Sequence, residues 1–245
     1  MMEADRSSGQ FQSIDASHRF LIGISGIPGS GNFSFVNCSI ELIHQNSGKT
    51  TLASLVTSRL NARSQPHNVA AFIPMDGYHL TRAQLAAMNN AEEAIRRRGA
   101  AFTFDGASFL ELVKKLRQPL GAHTPTIYAP SFDHAVKDPV ADDLVISATA
   151  RIVVFEGNYL ALNRSPWKEA GELMDVIWFV EVDEAVARAR LAVRHVKAGI
   201  VDDYQKGLER ADGSDLVNGR EIVAGRVDVH ETIISTDDNE WKGQE

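Results

Sequence analysis

Cysteine is almost missing from this chain: Cys38 is the only one in 245 residues. One cysteine cannot form an internal disulfide, so packing must hold the fold, and a reducing compartment is the expected setting. No run of 18 or more apolar residues occurs, so no membrane span and no membrane partner are expected. The first 18 residues are polar and mixed in charge, without the basic start and apolar middle of a secretory signal. A cytoplasmic protein is therefore the expectation. An excess of positive charge is also lacking. Lys and Arg number 25 against 32 Asp and Glu, for a net charge of −7. That balance argues against nucleic acid as a partner, although a local basic patch can still hold phosphates. There is no internal repeat, no low-complexity tract, no Cys/His spacing suited to zinc and no Ser-His-Asp order.

What is present is an ordinary globular composition, 44% hydrophobic and 23% charged. The expected organisation is a flexible lead-in over 1–18 and a single domain over 19–245. Short apolar runs alternate with helical periodicity. Arg19 to Ser25, Val69 to Pro74, Ala150 to Glu156 and Asp175 to Val182 read as buried strands. Thr50 to Arg63, Leu80 to Arg98, Ser108 to Leu116 and Asp183 to Ala198 read as helices. Thr124 to Tyr128 and the segment around Asp133 read as an extended hairpin or flap. The expected fold class is α/β, a parallel sheet with helices on both faces in three layers. Catalytic groups belong at the carboxyl ends of its strands.

The sharpest motif is divided. A P-loop reads G-x-x-x-x-G-K-[ST] between a strand and a helix. Its backbone N–H groups cradle phosphate oxygens, its lysine neutralises the β and γ phosphates, and its hydroxyl residue holds Mg²⁺. The first half stands here as Gly26-Ile-Pro-Gly-Ser-Gly31 and the second as Gly48-Lys-Thr-Thr51, with Asn32 to Ser47 between them. Counting back from Gly48, the first glycine of an undivided motif would fall on Ile43. Merging Gly31 with Gly48 removes 17 residues and restores Gly-Ile-Pro-Gly-Ser-Gly-Lys-Thr-Thr in strand–helix context. Gly31-Asn32 can be encoded with GGTAA and Ser47-Gly48 with TCAGG, an intron donor and an intron acceptor. Splicing between them would rebuild one glycine codon in frame. The insert is thus expected to be a retained intron, the alternative being a real surface loop. A real loop would break the continuity of a nest whose consecutive N–H groups must aim at one point. The motif assigns ATP and Mg²⁺ as cofactors. It also assigns Gly26, Gly29, Ser30, Gly31, Gly48, Lys49, Thr50 and Thr51 to the nucleotide and Thr50 to the metal.

With the halves joined, the chain resembles the uridine kinase, phosphoribulokinase and bacterial-type pantothenate kinase group of P-loop kinases. The segments that carry the resemblance are Met75-Asp-Gly-Tyr-His-Leu80, Arg96-Arg-Arg-Gly-Ala, Phe102-Thr-Phe-Asp105, Tyr128-Ala-Pro-Ser-Phe-Asp-His134, Val154-Phe-Glu-Gly-Asn-Tyr159, Arg190-Leu-Ala-Val-Arg-His195 and Asp215-Leu-Val-Asn-Gly-Arg220. The resemblance implies a P-loop three-layer sandwich with a lid and a small flap. The activity it implies is ATP-dependent phosphorylation of a hydroxyl on a small metabolite: a nucleoside, a sugar or a pantothenate-like alcohol. It places the catalytic base at Asp76, where a carboxylate can orient a hydroxyl and take its proton. An aspartate there could also cap the next turn. An active-site acid falls at Glu156, at the end of the clearest strand, within reach of Mg²⁺. Tyr78, His79, Asp105, Tyr128 and His134 fall near the acceptor. Uridine kinases carry a His-Ser-Arg-type triplet in the flap. Here Ala135 and Val136 follow His134, which weakens a uridine assignment.

The resemblance also makes the Arg190 to His195 segment a lid over ATP. Arg194 would stabilise the transferring phosphoryl group and Arg190 would contact the nucleotide. The alternative is an exposed helix face paired to Asp183 or Glu184. Asn218, in a polar turn before a helix, is either a substrate contact or a cap. Arg96, Arg97 and Arg98 are either a solvated face or an anion contact. Two other functions stay open: a protein that the insert has disabled as an enzyme, and a P-loop ATPase. The N-K-x-D signature of a GTPase is absent.

Overall fold

The computed structural model describes residues 17–30 and 48–235. Most of the expected lead-in, Gly31 with the insert up to Ser47, and residues 236–245 lie outside the described residues.

Five strands form a wholly parallel sheet in the order β2-β5-β1-β6-β7. They are β1 (Phe20–Gly26), β2 (Ala70–Pro74), β5 (Ile152–Glu156), β6 (Val176–Glu181) and β7 (Glu231–Ile234). Strands β3 (Ile127–Asp133) and β4 (Asp138–Ile146) make a separate antiparallel hairpin. The apolar runs are near-continuous because the sheet is covered on both faces, and side chains alternate between two cores. Ile22, Ile24, Val154 and Val180 meet Leu52 and Ala53 of helix α1 (Gly48–Arg63). Leu21, Ile73, Val153, Phe155, Ile177 and Phe179 point the other way. They share the larger core with Phe109, Leu112, Val113 and Leu116 of α4 (Gly106–Leu116) and Trp167 of α5 (Trp167–Glu172). Phe109 lies edge-on to Phe155 at 5.5 Å. Each such buried ring contributes about 1.5–3 kcal/mol of transfer free energy.

Register sets the site. Ile24 on β1 and Pro74 on β2 both lie opposite Glu156 on β5, and Gly26 lies opposite Val180 on β6. The carboxyl ends of the strands are therefore level, and the loops leaving them converge. Gly157 tightens this convergence, since a Cβ on it would fall 2.4 Å from Met75 Cβ.

Several expected boundaries shift. The single helix expected from Leu80 to Arg98 is two, α2 (Arg82–Ala86) and α3 (Ala91–Arg96). Thr81 opens α2 through a reciprocal capping box with Gln84, and the break falls around Asn89 and Asn90, weak helix formers. The expected flap is the β3–β4 hairpin. Its second strand carries Asp138, Asp142 and Asp143 and has no apolar alternation. Helix α6 (Glu184–Lys197) begins on Asp183, whose carboxylate accepts from Ala185 N and Val186 N. Helix α7 (Tyr204–Arg210), a π-turn over Ala211–Asp215 and helix α8 (Leu216–Ala224) come next. Asn218 lies inside α8, not in a turn before it.

Candidate active site

The two halves of the phosphate loop meet. Gly26 and Gly29 have φ of +154° and +78°, and both are hemmed in. A Cβ on Gly26 would sit 2.5 Å from Val180 O, and one on Gly29 would sit 2.8 Å from Ala187 O. Only glycine fits either position. Ser30 N donates to Ile27 O at 3.3 Å and closes the turn. From the far side of the insert, Lys49 Nζ donates to Ile27 O at 2.9 Å and to Ser30 Oγ at 3.2 Å. Thr50 Oγ1 donates to Glu156 Oε2 at 3.0 Å. Gly48 and Lys49 are buried at the start of α1, with Thr50 and Thr51 on the same first turn.

Burial dominates the electrostatics here. It lowers the Lys49 ammonium to about 8, with Glu156 and Asp76 opposing the shift and Arg194 adding to it. Burial also raises the Glu156 carboxyl to about 7, with Lys49 opposing and Asp76 adding. The four charges therefore feel one another, as a shared site requires. Glu156 and the Thr50 hydroxyl supply hard oxygen donors in contact with each other. That set suits Mg²⁺, which takes one or two protein oxygens and completes its shell with phosphates and water. Among the described residues no group of three or more His, Cys, Asp or Glu forms a self-sufficient metal cage. A Mg²⁺ ion here would depend on the nucleotide.

Asp76 sits in the 3₁₀ turn Met75–Tyr78 with 48% of its side chain exposed. Its backbone oxygen pairs with His79 Nδ1 at 2.8 Å. His79 is stacked between Phe104 at 4.0 Å and Phe132 at 4.9 Å. Burial lowers its pKa, against the pull of Asp76. His134, exposed on the hairpin turn, lies 5.2 Å from the Phe132 ring. Asp76, His79 and His134 thus share one corner.

Other expected acceptor residues are placed differently. Tyr78 is buried in the core, edge-on to Phe109 at 5.2 Å, so it supports the turn from beneath. Both oxygens of Asp105 bind Ser108, at 2.9 Å to its N and 2.7 Å to its Oγ, which makes Asp105 the cap of α4. Tyr128 faces outward at 53% exposure, opposite exposed Val145. The buried side of β3 there belongs to Ala129. Asn218 is buried, and its Oδ1 accepts from Arg97 Nη2 at 2.7 Å. The next residue, Gly219, packs on Ile27 of the phosphate loop.

Of the two arginines expected in a lid, Arg194 is the one whose charge acts on Lys49 and Glu156. Arg190 Nη1 donates to Ser235 Oγ at 3.1 Å, at the end of β7. Neither pairs with Asp183 or Glu184: Asp183 caps its own helix and Glu184 binds Arg220. The basic run resolves residue by residue. Arg96 is exposed and Arg97 holds Asn218. Arg98 donates to Lys137 O, Leu80 O and Asp138, and lies 5.6 Å over the Phe132 ring. Sequence reasoning did not single out Phe104, Phe132 or Arg98 as corner residues. The signals were Phe104 directly before Asp105, Phe132 two residues before His134, and Arg98 at the end of the basic run.

No family model matches the chain. Over 159 residues, 65% of the chain and 92% of the relative, it is 55% identical to the ATP-dependent kinase-like protein notR' of Aspergillus versicolor. Over 200 residues, 82% of the chain and 76% of the relative, it is 38% identical to a candidate uridine kinase of Schizosaccharomyces pombe. Among solved structures, a candidate fructose transport system kinase from Silicibacter sp. TM1040 superposes with a TM-score of 0.71 at 30% identity, covering 88% of this chain and 90% of that one.

Proposed function

This chain belongs to the ATP-dependent, uridine-kinase-like P-loop kinases, and from that membership we propose that it transfers the γ-phosphoryl group of ATP to a hydroxyl of a small metabolite. The observation that carries the reading is Lys49. Its ammonium is held at Ile27 O and Ser30 Oγ, so the lysine of one half sits in the cradle of the other despite the insert. A P-loop lysine in that place can neutralise the β and γ phosphates.

Asp76, half-exposed beside the cradle, accepts the proton of the acceptor hydroxyl. The freed oxygen attacks the γ-phosphorus, the bond to the β-γ bridging oxygen breaks, and ADP leaves with that electron pair. Thr50 and Glu156 would hold Mg²⁺, which when bound neutralises charge on the phosphate oxygens. Arg194 stabilises charge on the transferring group, and α6 shields the cradle from water. His79 and His134 shape the acceptor side. Among the described residues no helix is long and apolar enough to cross a membrane, and a cytoplasmic setting is part of the proposal. Residues 32–48 we read as translated intron. Mature mRNA carrying those 17 codons would overturn that reading.

Two proteins test the function, the full chain and the chain lacking residues 32–48. Each is measured for Mg·ATP binding and then screened for phosphate transfer against a library of nucleosides, sugars and other small alcohols. Binding and transfer are expected of the shortened chain at the least. Asp76→Asn is expected to leave Mg·ATP affinity within about threefold and to slow transfer by about 10²–10⁴-fold. Absence of Mg·ATP binding in both proteins would overturn the function. ATP consumption with no phosphorylated metabolite would make the protein an ATPase instead.

A further inference from the structure

Helix α6 is gripped from two sides. On one side Gly29 of the phosphate loop abuts it: a Cβ there would lie 2.9 Å from Leu191 Cγ. On the other, Gly207 of α7 lies so close that its own Cβ would sit 2.6 Å from Ala192 O. Three polar side chains of α6 also reach the segment after α7. Glu184 binds Arg220, Arg188 binds Asp212 through two bonds of 2.6 Å, and His195 Nε2 donates to Asp215 Oδ2 at 2.9 Å.

The first two pairs are exposed, and each is worth about 0–1 kcal/mol. The third differs. His195 is buried, Asp215 largely so, and His195 Nδ1 is a buried nitrogen with no hydrogen-bond partner among the described residues. A buried polar pair that leaves one nitrogen unpaired costs free energy. Stability alone gives no account of it. What the pair does join is α6 and the last residue of the π-turn. The residue before His195 is Arg194, the lid arginine whose charge is felt at Lys49 and Glu156. Asp215 itself closes the π-turn Ala211–Asp215, a wide turn of a kind that often marks functional sites.

We propose that Asp215, acting through His195, is a positioning residue that aims Arg194 at the γ-phosphate of bound ATP. The inference rests on the kinase reading. The pair touches no reacting atom, so its effect appears as discrimination between a triphosphate and a diphosphate.

The test measures affinities for the Mg²⁺ complexes of a non-hydrolysable ATP analogue and of ADP, in whichever form of the protein binds Mg·ATP. Asp215→Ala is expected to weaken the analogue about tenfold or more, the worth of one charge-assisted contact, and to change ADP by less than about twofold. Asp215→Asn keeps an acceptor oxygen and is expected to recover most of the loss. Arg194→Ala is expected to lose as much as Asp215→Ala, and the double variant no more than either. Should Asp215→Ala fail to fold, His195→Asn serves in the same comparison. Equal weakening of both nucleotides, additive losses, or an unchanged preference would overturn the proposal and leave the kinase reading standing. A wild-type protein that binds neither nucleotide would overturn the kinase reading, and this inference with it.

Discussion

The phosphate side and the acceptor side of this site are built on opposite plans. On the phosphate side, Gly26 to Ser30, Lys49, Thr50 and Glu156 hang from central strands and the first turn of α1. They are largely buried and already hydrogen-bonded to one another. On the acceptor side, Asp76 and His79 stand on a four-residue 3₁₀ turn, and the opposing wall is a hairpin outside the main sheet. Aromatic stacking and one arginine hold that wall in place. In the proposed function, the gripping of a triphosphate is thus invested in the core. The choice of an alcohol, in the same proposal, is left to appended pieces that can change without unsettling the sheet.

The contrast breaks most sharply at Lys49. Lys49→Ala is expected to reduce Mg·ATP affinity about 100-fold or more, because it removes the buried charge that meets the phosphates. Isothermal titration checks it, and a loss under about tenfold would return the cradle to an ordinary turn. Next in size is Glu156. Its carboxyl, ordinarily at 4.5, is raised to about 7, so the folded state holds a proton that the unfolded chain releases. That contribution is fully present below pH 4.5 and is lost as pH rises through about 7. Stability of the nucleotide-free protein should therefore fall across that window, and Glu156→Gln should flatten the fall. Thermal melts from about pH 4.5 to 7.5 measure both, and parallel curves for the two proteins would sink the assignment.

Smaller effects test the acceptor side. Asp105→Ala is expected to cost about 1 kcal/mol of stability as a lost helix cap and to leave Mg·ATP affinity unchanged. Urea unfolding and titration separate those effects. If instead acceptor turnover falls with stability intact, Asp105 belongs to the substrate after all. Least of all, Tyr128→Ser should shift stability by under about 0.5 kcal/mol and leave the acceptor KM unchanged. A raised KM would turn the outer face of the hairpin into part of the pocket.

Much of the phosphate side could be read directly from sequence. Gly26, Gly29, Lys49 and Thr50 follow from a local rule, a strand, a turn of positive-φ glycines and a helix start, and Glu156 was expected from the family resemblance at the end of its strand. The strands around them announce themselves because burial on both faces leaves continuous apolar runs. The acceptor side resisted for equally physical reasons. Along β3 neighbouring residues point to opposite faces, and the register shifts between Ala129 and Ser131. Which of Tyr128, Ala129 or Phe132 faces inward is therefore decided by a bulge that composition does not announce. The capping role of Asp105 was not legible because a capping carboxylate and a ligand-binding carboxylate look alike until Ser108 is seen beside it. Asn218 answers to Arg97, 121 positions earlier, a pairing that no local pattern predicts.

Lys49 reaches Ile27 with an alkyl tether, so what joins the two fragments is a side chain and not the main chain. That meeting of lysine and carbonyl is what splicing out residues 32–48 requires, and searches that demand unbroken text would pass such a sequence by.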